Sequence, residues 1–227
     1  MQSKLDLDKQ LDQVDKPIVS IVGLGFVGGA MTAAESLART NDGGRRYFVL
    51  GIDRDNEVGL SKIEAINRGA SPIVSVDDSI QSAIHDAYVD NSVLATSNLY
   101  LISASDIVVV DVDLDISIGE KSDPGSIKFD DSSFKELLRK IAEEIKPECL
   151  VIIETTVPVG YTEHYIKQLF ANIFRSRGLD PNLMKLAHSY ERVMPGENYL
   201  GSITSYYRVY SAISEQAKAV SYTHLTL

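Results

Sequence analysis

Residues 21–30 read IVGLGFVGGA, and within them Gly23-Leu24-Gly25-Phe26-Val27-Gly28 fits the spacing G-x-G-x-x-G. The run before it, PIVSIVG at 17–23, is β-branched and apolar, and the stretch after it, 27–39, carries a helical pattern. The glycines therefore stand at a strand-to-helix turn, the context in which this spacing has a physical use. Gly23 permits the tight turn, Gly25 leaves the backbone open to a pyrophosphate, and Gly28 lets the helix pack closely on the strand. Phe26 and Val27 add N–H groups at the helix start, where the dipole also favours phosphate.

Outward from this turn, short β-branched apolar runs alternate with longer amphipathic stretches. Strands are predicted at 17–23, 47–53, 92–96, 106–112, 149–154, 184–188 and 207–211, with helices at 27–39, 56–67, 77–87, 130–145 and 161–177. That alternation predicts an α/β fold: a doubly wound, Rossmann-type, mostly parallel sheet with helices on both faces. In the stretch 130–145, for example, Phe134, Leu137, Leu138, Ile141 and Ile145 recur at helical spacing, and Pro147 follows as a stop. The polar segment 113–128, with its Pro-Gly pair, reads as a long surface loop at the ligand-binding end of such a sheet.

The second predicted strand ends in Asp53, 25 residues past Gly28. A dinucleotide fold places a carboxylate there to accept from the adenosine ribose hydroxyls, and the polar turn 39–46 accounts for spacing slightly above the usual figure. A carboxylate at this position repels a 2′-phosphate, so NAD is favoured over NADP. Arg54 follows at once and softens that preference by offering a cation to such a phosphate.

The net charge of −10 argues against nucleic acid or an anionic membrane as partner, since both need a basic face. No apolar run is long enough to cross a membrane, and the N-terminus is polar where a secretory signal is apolar, so a cytoplasmic location is expected. Cys149 is the one cysteine and cannot form an internal disulfide. Residues 1–16 carry seven charged side chains and little apolar content, which predicts a flexible segment ahead of a domain spanning 17–212.

Several further segments carry a family resemblance. GLGFVGGA, GASPIVSVD at 69–77, ETTVPVGYTE at 154–163, HSYERVMPGENY at 188–199 and YRVYSAIS at 207–214 resemble, in order, signatures of the nucleotide-sugar dehydrogenases that oxidise UDP-sugars and GDP-mannose at C6. The resemblance covers about 17–219 and implies an NAD-linked, two-step oxidation of a primary alcohol to a carboxylate through a cysteine thioester. It implies that Thr156 lies at the cofactor, that Thr96 lines the adenine side, and that Glu191 stands near the reacting carbon and handles the hydrolytic water. Read without the family, Thr155 and Thr156 are hydroxyls closing a strand, and Glu191 with Arg192 is a local ion pair.

The sequence departs from the family in two places. The threonine usual after the fourth strand is absent, and Asp111, Asp113 and Asp115 crowd that strand end; a solvated acidic loop is the plainer reading beside a metal or sugar-hydroxyl site. The family's nucleophilic cysteine, its polarising lysine and asparagine, its dimerising central helix and its nucleotide domain would all lie beyond position 227. Cys149 opens the run CLVIIE after Pro147, where a small buried residue is expected rather than a nucleophile. Residues 213–227 read as the start of a truncated central helix, with a non-native tail from about 220.

The sequence therefore predicts the NAD-binding half of a nucleotide-sugar 6-dehydrogenase, inactive by itself and homodimeric in its full-length form. A non-catalytic dinucleotide-binding module and a fragment of a 6-phosphogluconate-type hydroxyacid dehydrogenase stand as alternatives.

Overall fold

In a computed structural model the described residues are 11–118, 127–190 and 193–219. Seven strands form one sheet: β1 (Ile18–Val22), β2 (Phe48–Ile52), β3 (Val93–Thr96), β4 (Ile107–Val110), β7 (Leu150–Ile153), β8 (Lys185–Ser189) and β9 (Tyr210–Ala212). Their spatial order is β3-β2-β1-β4-β7-β8-β9; every pairing is parallel except β8 with β9. The chain thus winds outward from β1 in one direction through β2 and β3, and in the other through β4, β7 and β8. The reversal falls between β1 and β4, where doubly wound sheets open a crevice at their C-terminal ends.

The central strands are buried on both faces, which is why they read as nearly unbroken Val/Ile/Leu runs. On one face α1 (Phe26–Leu37), α2 (Glu57–Ile66), α3 (Asp78–Val89) and α6 (Tyr199–Ser205) cover Val19, Ile21, Val49, Val109 and Ile152. On the other, α4 (Ser132–Glu144) and α5 (Lys167–Ser176) cover Val22, Leu50, Val108, Val110, Val151 and Ile153. The apolar stripe read from the sequence of α4 points inward as its spacing requires: Phe134, Leu138, Ile141 and Ile145 are all buried. A π turn at Thr162–Ile166 leads into α5, after the left-handed Gly160 (φ +81°) ends the ETTVPVG segment.

The structure corrects one expectation of the sequence. The segment 113–128 is not loop throughout: β5 (Asp115–Ile118) and β6 (Ile127–Asp130) pair antiparallel as a separate two-stranded ribbon. At the other end, Ser214 opens a short helical stretch at 215–219, its hydroxyl accepting from the Ala217 N–H. The expected flexible segment at 1–16 and the expected non-native tail from 220 lie largely or wholly outside the described residues.

Beneath α1 lies a buried charge cluster. Glu154, just past β7, is paired with Arg208 at 2.5 Å, and both side chains are almost wholly out of solvent. A second guanidinium nitrogen of Arg208 lies 3.2 Å from the Met31 sulfur in α1. Glu35, on the same helix, is completely buried; burial and then the Glu154 charge raise its pKa to about 8, against weaker opposing pulls from Arg208 and Arg46. Between its ordinary value of 4.5 and about 8, the folded chain holds a proton that the unfolded chain has released. This group alone therefore makes stability fall as pH rises through that window, by up to ~1.4 kcal/mol per pH unit. Glu35→Gln is expected to remove that slope, so that thermal unfolding midpoints at pH 5.5 and 7.5 move closer together than in the unmodified chain; an unchanged gap contradicts a neutral Glu35.

Candidate functional site

The glycine turn sits where β1 gives way to α1, flanked by the ends of β2 and β4. Gly23 has φ +99°, and a Cβ there would overlap the carbonyl of Asp111 at the end of β4. A Cβ on Gly28 would overlap the carbonyl oxygen of Gly23 itself. Both positions are glycine because the turn, the helix and the neighbouring strand occupy the space a side chain needs. Gly25 is different: it has negative φ, and a Cβ built on it meets no atom within 4 Å. Nothing in the fold demands a glycine there, so the bare backbone faces an open cradle.

Gly25 is the N-cap of α1, and having no side chain it supplies no capping acceptor; no acid stands in the first turn either. The first intrahelical bond is donated by Gly29 to the Gly25 carbonyl (2.8 Å), which leaves the Phe26, Val27 and Gly28 N–H groups ahead of the helical ladder. Phe26 is 64% exposed, whereas Val27 packs partly against the core. An N-terminus of this kind, with its donors uncapped and its dipole end bare, is suited to a phosphate oxygen. The residues present fit a dinucleotide on this observation.

Asp53 stands immediately past β2, with its side chain 8% exposed. Its Oδ2 accepts from the Leu24 N–H at 3.0 Å, which ties the carboxylate to the glycine turn, and its Oδ1 accepts from the Arg54 N–H at 2.7 Å. Lys62 of α2 pairs with the same Oδ2 at 3.2 Å. Thr96, the last residue of β3, is in register with Ile52; its carbonyl accepts from the Asp53 N–H at 3.3 Å and its hydroxyl accepts from the Asn98 N–H at 3.1 Å. Asp53 and Thr96 are thus brought side by side at one end of the crevice.

At the other end the two threonines of ETTVPVG separate. Thr155 is buried, donating to the Val110 carbonyl (3.3 Å) and accepting from the Val112 N–H (3.1 Å), so it stitches the end of β7 to the end of β4. Thr156 is exposed at the strand end. Asp111 is partly buried beneath Gly23 and Asp113 is exposed; among the described residues no group of three His, Cys, Asp or Glu is placed to hold a metal ion. Cys149 is buried, and burial pushes its thiol up to about 12, the opposite of an activated nucleophile.

Glu191 lies outside the described residues. Its neighbours are held on both sides: the Tyr190 N–H donates to Val209 (3.0 Å), the Met194 N–H to the Ser202 hydroxyl (3.0 Å), and the Tyr190 ring meets His188 edge-on at 5.3 Å. Tyr199, buried in α6, donates its hydroxyl to the Phe26 carbonyl at 2.9 Å, and the Leu200 N–H donates to Asp77, which also caps α3. Nothing in the sequence alone shows that Asp77 holds α6 at Leu200 or that Tyr199 reaches the glycine turn at Phe26. Their signal was a polar group closing each segment, which acquires meaning only when the elements are assembled.

Residues 18–210 match the model of the UDP-glucose/GDP-mannose dehydrogenase family, NAD binding domain. The chain belongs to this family. It is 28% identical over 200 residues to the UDP-N-acetyl-D-mannosamine dehydrogenase of Pyrococcus horikoshii, an alignment that takes in 88% of this chain and 42% of the relative. The structure is similar to that of an NDP-N-acetyl-D-galactosaminuronic acid dehydrogenase from Methanosarcina mazei (TM-score 0.76, 25% identity), with all of this chain and 44% of the other covered. It shares its fold with a GDP-mannose dehydrogenase from Pseudomonas aeruginosa at TM-score 0.71, over 90% of this chain and 43% of that one. The chain therefore spans about two-fifths of the length of these relatives, and the part it spans is the family's NAD-binding domain. No helix among the described residues is long and apolar enough to cross a membrane.

The two kinds of glycine separate by stability. Gly28→Ala is expected to cost about 1–3 kcal/mol through overpacking against Gly23, whereas Gly25→Ala, entering open space, should cost well under that. Denaturant unfolding of the two variants checks the order; equal losses contradict it.

Proposed function

We propose that this chain is the cofactor-holding part of a dehydrogenase that oxidises the C6 alcohol of a UDP-sugar, a UDP-hexose or UDP-N-acetylhexosamine, to a carboxylate, passing two hydrides to two NAD molecules. The observation that carries the reading is the cradle at Gly25: an uncapped helix start with no steric need for its glycine, one residue from an N–H bonded to Asp53. In this reading Gly23, Gly25, Phe26, Val27 and Gly28 seat the pyrophosphate, Asp53 accepts from the adenosine ribose, Thr96 lines the adenine side and Thr156 meets the cofactor at the far end of the crevice. Glu191 handles the hydrolytic water. The relatives' names support an N-acetylated UDP-sugar.

The buried Cys149 supports the further reading that this chain binds cofactor without turning substrate over, because no other cysteine is present to carry a thioester. Most contacts to the sugar nucleotide, and the homodimer, belong to the full-length protein, which we place in the cytoplasm.

Calorimetric titration with NAD, followed by an NADH assay with UDP-glucose and UDP-N-acetylhexosamines, tests the proposal: NAD should bind and no NADH should form. Asp53→Ala should weaken NAD by roughly 1–3 kcal/mol, the loss of hydrogen bonds to a charged acceptor. Gly25→Val should fold and lose binding altogether. NAD binding by a folded Gly25→Val contradicts the docking, and turnover by the chain alone contradicts the division of labour.

A further inference from the structure

The space beneath α1 holds more carboxylate than its one almost wholly buried guanidinium balances. Glu35 lies one turn past Met31 on the buried side of the helix, and the Arg208 that touches the Met31 sulfur at 3.2 Å is already paired with Glu154 at 2.5 Å. The run leading into β2 brings two further groups to Glu35. Arg46, half-buried, pulls on it more weakly than Arg208, and Tyr47 stays a neutral phenol, pushed up to about 12 by burial and then by the Glu35 charge. The other elements packed on α1 bring no charge to this space: β1 supplies Val19 and Ile21, α3 supplies Ile80 and Ile84, and Tyr199 of α6 spends its hydroxyl on the Phe26 carbonyl at the opposite end of the helix.

Two ionised carboxylates against one guanidinium in a dry site are costly, and the cost is met either by holding a proton or by returning a carboxylate to water. Of the elements involved, α1 is the one that yields. β7 is hydrogen-bonded on both sides, to β4 and β8, and the Glu154 N–H extends that ladder to the Val110 carbonyl at 2.9 Å. By contrast α1 carries Gly28 and Gly29 in its first turn, and Thr32 and Ser36 turn their hydroxyls back to the carbonyls of Gly28 and Thr32, each at 2.7 Å, an arrangement that weakens and bends a helix. Its seat on the sheet, more than its own propensity, keeps it helical. We infer that Glu35, Glu154 and Arg208 form a proton-gated latch on α1: one proton held between the two carboxylates keeps the helix seated, and loss of that proton lets the helix lift, together with the bare N-terminus at Gly25. With the helix seated, burial and then the Glu154 charge raise the Glu35 pKa to about 8, whereas in the lifted helix it returns toward 4.5. Lifting therefore releases a proton between these values and becomes more frequent as pH rises through that window.

The test is amide hydrogen exchange of the whole chain at pH 5.5 and 7.5, with rates divided by those of an unstructured peptide. Protection of the α1 amides should fall at least about 20-fold between the two pH values, and at pH 7.5 should lie below that of β4 and β7, which open only with the whole fold. Glu35→Gln should abolish the fall; Glu35→Met takes its place should the first variant not fold. Glu154→Gln, which leaves Arg208 to serve Glu35 alone, should cut the fall to under about 10-fold. A fall that survives in folded Glu35→Gln or Glu35→Met, a fall unchanged by Glu154→Gln, or α1 protection equal to that of β4 and β7 overturns the latch. On the reading that NAD docks at the start of α1, NAD at about 10 mM should restore α1 protection at pH 7.5 at least ten-fold, because it binds the seated helix. Loss of that effect alone, with the pH dependence intact, overturns the cofactor reading and leaves the latch standing.

Discussion

The close crossing of α1 over β1 is the constraint on which the rest of the structure depends. With no side chain at Gly28, the helix sits against the carbonyl of Gly23, and with Gly23 in the left-handed region the chain turns between the ends of β2 and β4 without a gap. This proximity sets where α1 lies on the sheet. It lets the Leu24 N–H reach Asp53 and brings Met31 and Glu35 over the sheet against Glu154 and Arg208. A methyl group at either glycine would push the helix away and loosen all of these contacts together.

The segments that resemble family signatures are parts of one physical assembly. Glu154 of ETTVPVG and Arg208 of YRVYSAIS form a buried pair that touches α1, Asp77 of GASPIVSVD holds the Leu200 N–H, and Tyr199 of HSYERVMPGENY holds the carbonyl of Phe26. Taking Glu154 and Arg208 out of water is costly and is repaid only by good geometry. The pair ties the end of β7 to the chain just ahead of β9.

The sheet was legible because its strands are buried on both faces and therefore spelled in β-branched residues, and α4 because its apolar stripe keeps helical spacing from Phe134 to Ile145. The β5–β6 ribbon was not, because its polar residues and the Pro-Gly pair between the strands give the composition of a loop. Within the site, the glycines and Asp53 could be read from spacing along one βαβ unit. Lys62 could not, because its contact with Asp53 depends on how steeply α2 folds over Arg54, and that depends on Gly59, whose role is invisible until the helix is placed. Nor was the burial of Glu35 visible, since an acid in a helix rich in alanine looks like a solvated face.

The hydroxyl of Tyr199 reaches Phe26 across 173 positions of sequence, and Arg208 reaches Met31 across 177. Contacts that distant form late, because the intervening chain must first be brought to order. A ribosome releases the glycine turn well before the residues that brace it, which follow only after most of the sheet has emerged. The turn must therefore wait, made but unsupported, until Tyr199 and Arg208 have emerged, and the pocket it builds matures on the schedule of these late-made neighbours.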